Sequence, residues 1–227
     1  MNPFVVYAII GALEVLAEAT ANAPLRYLTK PLLMPVLLWA YASAVSNRKD
    51  RIFQLMAASL IFSFSGDVNL MFEKNNPVFF LLGLGSFLIT HLLYIDVFRR
   101  SMHGDPLSGL KQKLPFMAIT VIYCAGLMSY LFPLLGELKV PVLVYGLAIF
   151  SMGFMGILRL NPIQHKPALI TLLGALLFVL SDSCIALNKF AFNGQMPWAA
   201  VSIMSLYISA QYFIVKGILL HQRSTAG

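Results

Sequence analysis

Two aspartates, Asp67 and Asp182, stand inside apolar runs that read ASLIFSFSGDVNLMF from Ala58 to Phe72 and GALLFVLSDSCIALNKF from Gly174 to Phe190. An ionisable group in a bilayer interior costs about 2.5 to 3.5 kcal/mol on insertion scales, so each one needs a partner or a task. Glu14, Glu18, His91 and Asp96 are of the same kind, and Lys30 opens the second apolar run. Asp67 lies sixteen residues beyond Arg51, and Asp182 sixteen beyond Lys166. At the helical rise both carboxylates fall roughly 24 Å into a core of about 30 Å, in its outer half. If their helices face each other, two carboxylates at one level do not both ionise readily, which leaves a protonated acid beside an ionised base. Ser65 and Asn69 in the third run, and Ser181 and Ser183 in the seventh, are hydrogen-bond partners within reach, and Gly66 admits a close neighbour or a substrate. The chemistry these residue types suit is acid/base hydrolysis.

The remaining polar residues have structural readings as well as functional ones. Glu18 and Lys30 flank the first outer loop; Lys30 forms an ion pair with Glu18 or Asp67, or the two are part of a polar site. Asp96 is followed by Arg99 and Arg100, a pairing expected at the membrane surface. His91 reads as a satisfied core histidine or a site residue. One histidine with two distant aspartates lacks a paired ligand motif, so no metal is expected. No cofactor is expected either. Tyr94, Tyr123, Tyr145, Tyr207 and Tyr212 read as packing or interfacial-belt residues, and Cys124 and Cys184 as small apolar fillers. There is no G-x-S-x-G and no Gly-rich phosphate loop.

The elements that position these groups follow from composition. Of 227 residues 59% are hydrophobic and 11% charged, with a mean hydropathy of +0.80. A soluble chain carries about 25% charged residues, so a cytosolic globular domain is excluded. Apolar runs predict an all-α, polytopic bundle of eight transmembrane helices near 4–20, 28–46, 51–72, 77–100, 112–132, 138–158, 166–190 and 196–220, as one membrane domain over residues 1–227. The amino terminus lacks the basic region of a cleaved leader, so the first span is expected to stay. The net charge of +7 comes from basic residues scattered between runs, which points to loop placement and not to nucleic acid. Eleven Lys and Arg fall on the side of both termini and five on the other, which places both termini in the cytoplasm. The two aspartate segments also echo one another four helices apart, as parallel repeats would.

At this point the chain resembles a known family. Lys30-Pro31-Leu32-Leu33-Met34-Pro35, Ser65-Gly66-Asp67, His91-x-x-Tyr94, Gly174-Ala175 through Phe178 with Ser181-Asp182, and Tyr207-x-x-Ala210-Gln211 together look like the YhhN family of eight-span membrane proteins. That family includes lysoplasmalogenases, which cleave the vinyl ether bond of lysoplasmalogens to a fatty aldehyde and glycerophosphoethanolamine or glycerophosphocholine. The resemblance implies that Asp67 and Asp182 are the catalytic pair and that Lys30, His91, Tyr94, Tyr207 and Gln211 line the site. It also implies a lysophospholipid substrate within the bilayer. Short loops and the charge bias suit a multi-pass protein of a bacterial inner membrane.

Three other classes compete. A proton-coupled transporter would use the same buried carboxylates. An intramembrane aspartyl protease would show G-x-G-D, where this chain has Phe64. A lipid-binding protein without turnover would survive replacement of both aspartates.

Overall fold

The computed structural model describes residues 1–225, apart from 103, 106 and 161–164. Among these residues the chain is helical, with eight α-helices: α1 Pro3–Ala19, α2 Ala23–Ala44, α3 Arg51–Met71, α4 Pro77–Arg100, α5 Leu110–Leu131, α6 Lys139–Leu158, α7 His165–Ala186 and α8 Ala199–Thr225. Both the all-helical class and the number of helices agree with the sequence. Among the described residues five segments are long and apolar enough to cross a membrane: Pro77–Arg100, Leu110–Leu134, Gly136–Leu158, His165–Ala191 and Ala199–Thr225. Their surfaces fit that reading, since Ile119, Ile122 and Val140 expose 65, 71 and 70% of themselves. Apolar area on that scale is at home against lipid.

Helix boundaries follow local chemistry. Asn2 caps α1 by accepting from the Phe4 N–H at 3.0 Å, and Pro3 fills the position whose N–H needs no partner. Ala21, at φ 51°, closes the helix as a left-handed residue, and the Asn22 N–H reaches back to the Ala17 carbonyl at 2.8 Å. The side chain of the same Asn22 then caps α2 by accepting from the Leu25 N–H at 3.1 Å. The second helix therefore begins at Ala23 and not near residue 28, and Lys30 sits two turns inside it. Pro31 and Pro35 lie in its interior and each removes one rung of the hydrogen-bond ladder there. The seventh helix runs on beyond Ala186 as a π-turn, Leu187–Ala191.

The chain divides into two compact units, Met1–Val97 and Phe98–Gly227. In the first, α1 packs on α2 and α2 on α3. Here α3 meets α4 so closely that a Cβ on Gly66 would lie 2.6 Å from the Phe87 ring, and one on Gly83 2.7 Å from Leu70. Ser63 also donates to Thr90 at 3.3 Å, and the Ser65 and Ser86 hydroxyls are 3.2 Å apart. The neighbour that Gly66 admits is thus the Phe87 ring.

In the second unit, α5, α6, α7 and α8 pack in chain order. Helices α7 and α8 approach backbone to backbone. A Cβ on Gly174 would lie 2.7 Å from the Ile214 nitrogen, and one on Gly217 2.2 Å from the Thr171 hydroxyl. Two buried cations tie helix ends together. The Arg159 guanidinium donates through Nε to the Ser101 carbonyl at 3.2 Å and through Nη1 to the Thr171 hydroxyl at 2.5 Å. Lys113 Nζ donates to the Leu158 carbonyl at 2.9 Å. The Ser101 and Leu158 carbonyls lie at the C-terminal ends of α4 and α6, where helix dipoles favour positive charge. Burial pushes the Arg159 pKa down from 12.5 to about 10, which leaves it charged at neutral pH.

Candidate active site

The residues singled out from sequence fall in both units. Glu18, Lys30, Asp67, Asn69, His91 and Tyr94 belong to the first; Ser181, Asp182, Tyr207 and Gln211 belong to the second.

In the first unit Asp67 is buried on α3, one turn before the helix ends at Met71. Tyr7 of α1 and Tyr94 of α4 are both buried, and Asp67 and Tyr94 act electrostatically on the Tyr7 phenol. His91 is fully buried one turn before Tyr94, so α4 carries both on one face. Ser65 and Asn69 are engaged along their own helix. The Asn69 amide donates to the Ser65 carbonyl at 2.7 Å and the Ser65 hydroxyl meets Ser86.

The end of this unit where α1 passes into α2 holds a second polar group. Glu14 is completely buried, and its Oε2 accepts from the Thr29 hydroxyl at 2.5 Å. The charged groups that face it are Lys30, Glu18 and Arg26. Glu18 pairs with Arg26 at 3.7 Å, where one reading of the sequence paired it with Lys30. The Arg26 guanidinium lies 5.7 Å from the centre of the Tyr27 ring, and Tyr27 and Phe72 lie 6.1 Å apart, an aromatic edge of the kind found at a membrane interface.

In the second unit the Tyr145 hydroxyl, from α6, donates to Asp182 Oδ2 on α7 in a short bond. The serines that flank Asp182 in sequence are turned to other uses. Ser181 donates to the Ile203 carbonyl at 3.1 Å, and Ser183 to the Val179 carbonyl at 2.7 Å. Ser181 therefore fastens the first turns of α8 to α7. Tyr207 stands edge-on to Phe178 with ring centres 5.5 Å apart, and Gln211 is fully buried one turn further along α8.

Sequence reasoning missed three of these residues. Tyr145 was expected to be a packing or belt residue, although it meets Asp182. Tyr7 and Glu14 had no assigned role, yet Tyr7, Gly11, Glu14 and Glu18 follow the i, i+4, i+7, i+11 spacing of one helical stripe. That spacing was the available signal. A cavity of about 530 Å³ also opens between α5 and α6, among Thr120, Cys124, Met128, Leu147, Phe150 and Ser151. It is lined almost wholly by apolar groups and includes none of the sequence-predicted site residues.

The sequence pattern of the YhhN family matches residues 25–218. Lysoplasmalogenase TMEM86A of Bos taurus is 35% identical over 162 residues, which is 68% of this chain and 61% of that protein. Lysoplasmalogenase of Mycobacterium bovis is 31% identical over 209 residues, 88% of this chain and 73% of that protein. Lysoplasmalogenase TMEM86B of Homo sapiens is 30% identical over 190 residues, 82% of this chain and 73% of that protein. No solved structure matches.

Proposed function

The chain belongs to the YhhN family, and from that premise we propose that it is a lysoplasmalogenase, an ether hydrolase that cleaves the vinyl ether of a lysophospholipid within the membrane. On this reading its eight helices form one membrane domain with both termini in the cytoplasm, in a bacterial inner membrane. The observation that carries the reaction is that Asp67 and Asp182 each sit beside a tyrosine from another helix, at matched depth in the sequence register.

Vinyl ether hydrolysis begins with proton transfer to the carbon beta to oxygen. The oxocarbenium ion so formed is captured by water, whose proton leaves to a base. The hemiacetal then collapses to an aldehyde and the glycerophospho-alcohol. Two carboxylates in different protonation states serve both steps, as they do for the oxocarbenium ions of glycoside hydrolysis. The Tyr145 hydroxyl donates to Asp182, which leaves that carboxyl in the role of acceptor. We therefore give Asp182 the base role and Asp67 the acid role. His91, Tyr94, Tyr207 and Gln211 would contact the substrate, and Lys30 would meet the phosphate as a point charge. Asn69 and Ser181 support the helices that bear the two acids.

The test is aldehyde release from a lysoplasmalogen by the purified protein, with a saturated ether lysolipid as control. The native protein is expected to cleave the first and leave the second intact. Asp67→Asn and Asp182→Asn are each expected to abolish release in folded protein; full activity in either overturns the assignment.

A further inference from the structure

Buried polar atoms are almost always paired, and each one left over asks for an explanation. At the outer end of α1 and α2 there are two, of opposite kind. Glu14 Oε1 is a buried acceptor and Arg26 Nε a buried donor, and neither has a hydrogen-bond partner among the described residues. Glu18 does not satisfy Arg26 fully, because their separation of 3.7 Å is longer than a hydrogen bond. Lys30 adds a second cation beside Glu14.

A ligand that completes such a set carries an anion for the guanidinium and ammonium and a cationic N–H donor for the carboxylate. We propose that Glu14, with Arg26 and Lys30, forms a site for a zwitterionic phosphoethanolamine headgroup, and that Glu14 makes the protein prefer ethanolamine to choline. The proposal rests on the lysophospholipid reading above and names the headgroup that reading leaves open.

Spacing along α1 supports it. Tyr7, the neighbour of Asp67, and Glu14 are seven residues apart on one face, with Gly11 buried between them. That is about 10.5 Å along the helix. In a lysoplasmalogen nine bonds separate the vinyl ether oxygen from the headgroup nitrogen, on the order of 11 Å when extended. A substrate whose vinyl ether lies level with Tyr7 therefore brings its nitrogen level with Glu14. Arg26, near the start of α2, and the Tyr27 and Phe72 rings mark this end as the interface where headgroups reside. The choice of headgroup follows from donors. A primary ammonium gives the buried Glu14 oxygen a charge-assisted hydrogen bond, whereas a trimethylammonium has no N–H to give.

The experiment measures binding of saturated 1-O-alkyl lysophospholipids, which the proposed reaction leaves uncleaved, to the detergent-solubilised full chain by thermal shift. The probes carry ethanolamine, its monomethyl and dimethyl derivatives, and choline. Native protein is expected to bind the first three alike and choline about tenfold more weakly, the step falling where the last N–H is lost. Glu14→Gln is expected to flatten the series, and Arg26→Gln to weaken all four probes without flattening it. Equal affinities in the native protein, or an unchanged step in folded Glu14→Gln, overturn the proposal. Since no turnover is needed, a protein that shows the step but releases no aldehyde from a lysoplasmalogen keeps this site and loses the proposed reaction.

Discussion

The contact between Tyr145 and Asp182 changes the meaning of a side chain that composition alone leaves ordinary. A tyrosine in an apolar run is amphipathic, and nothing local distinguishes one that anchors at the interface from one that turns inward to a carboxylate. Position relative to another helix decides it, and that is tertiary information. Glu14 was legible as a charge on the stripe it shares with Tyr7 and Gly11, but its partner Thr29 lies on another helix. The aspartates were legible because an isolated charge in an apolar run has so few explanations. A hydrogen bond to a charged group is worth about 1.5 to 3 kcal/mol. Under the proposed mechanism Tyr145→Phe is therefore expected to lower kcat about ten- to a hundredfold with little change in KM. Unaltered kcat would show that the phenol does not hold the base.

Among the elements, α7 and α8 show how glycine fixes the position of a functional helix. Gly174 and Gly217 let the two backbones meet, and the hydroxyl of Thr171 occupies the space a Cβ at residue 217 would need. Gly174→Ala and Gly217→Ala are each expected to cost about 1 to 3 kcal/mol through overpacking. Gly126, with nothing within 4 Å of its would-be Cβ, serves as the contrast, because Ala there is expected to be neutral or slightly stabilising. Thermal unfolding of the three variants in detergent checks the difference. Helix number and most boundaries were readable from hydropathy. The start of α2 was not, because Asn22 acts as a cap after a two-residue turn, and the charged residues that follow it look like loop. Arg26 and Lys30 lie inside the helix, where Arg26 pairs with Glu18 and both act on Glu14 of α1.

At the scale of the whole chain, the sequence echo falls on equivalent places: Asp67 on the third helix of the first unit and Asp182 on α7, the third complete helix of the second. Such a repeat suits a transporter as well as an enzyme, and sealed-vesicle proton flux beside aldehyde release separates the two. The proposed topology has its own check. A fluorescent reporter fused after α8 is expected to light up in the cytoplasm, and alkaline phosphatase placed in the turn between α1 and α2 is expected to be active outside. Inactive phosphatase at that turn would invert the orientation and move the headgroup site to the inner leaflet.

The anchoring of α7 bears on how Asp182 can work. Arg159 grips its first turns through Thr171, glycines lock its middle to α8, and the Asn188 side chain accepts from the Met196 N–H to fasten the π-turn just beyond it. A helix pinned at three levels is a beam and not a hinge. Alternating exposure of Asp182 to the two sides of a membrane would need that beam and α8 to swing together, whereas a hydrolase needs the opposite, a carboxylate that stays still while its substrate comes and goes.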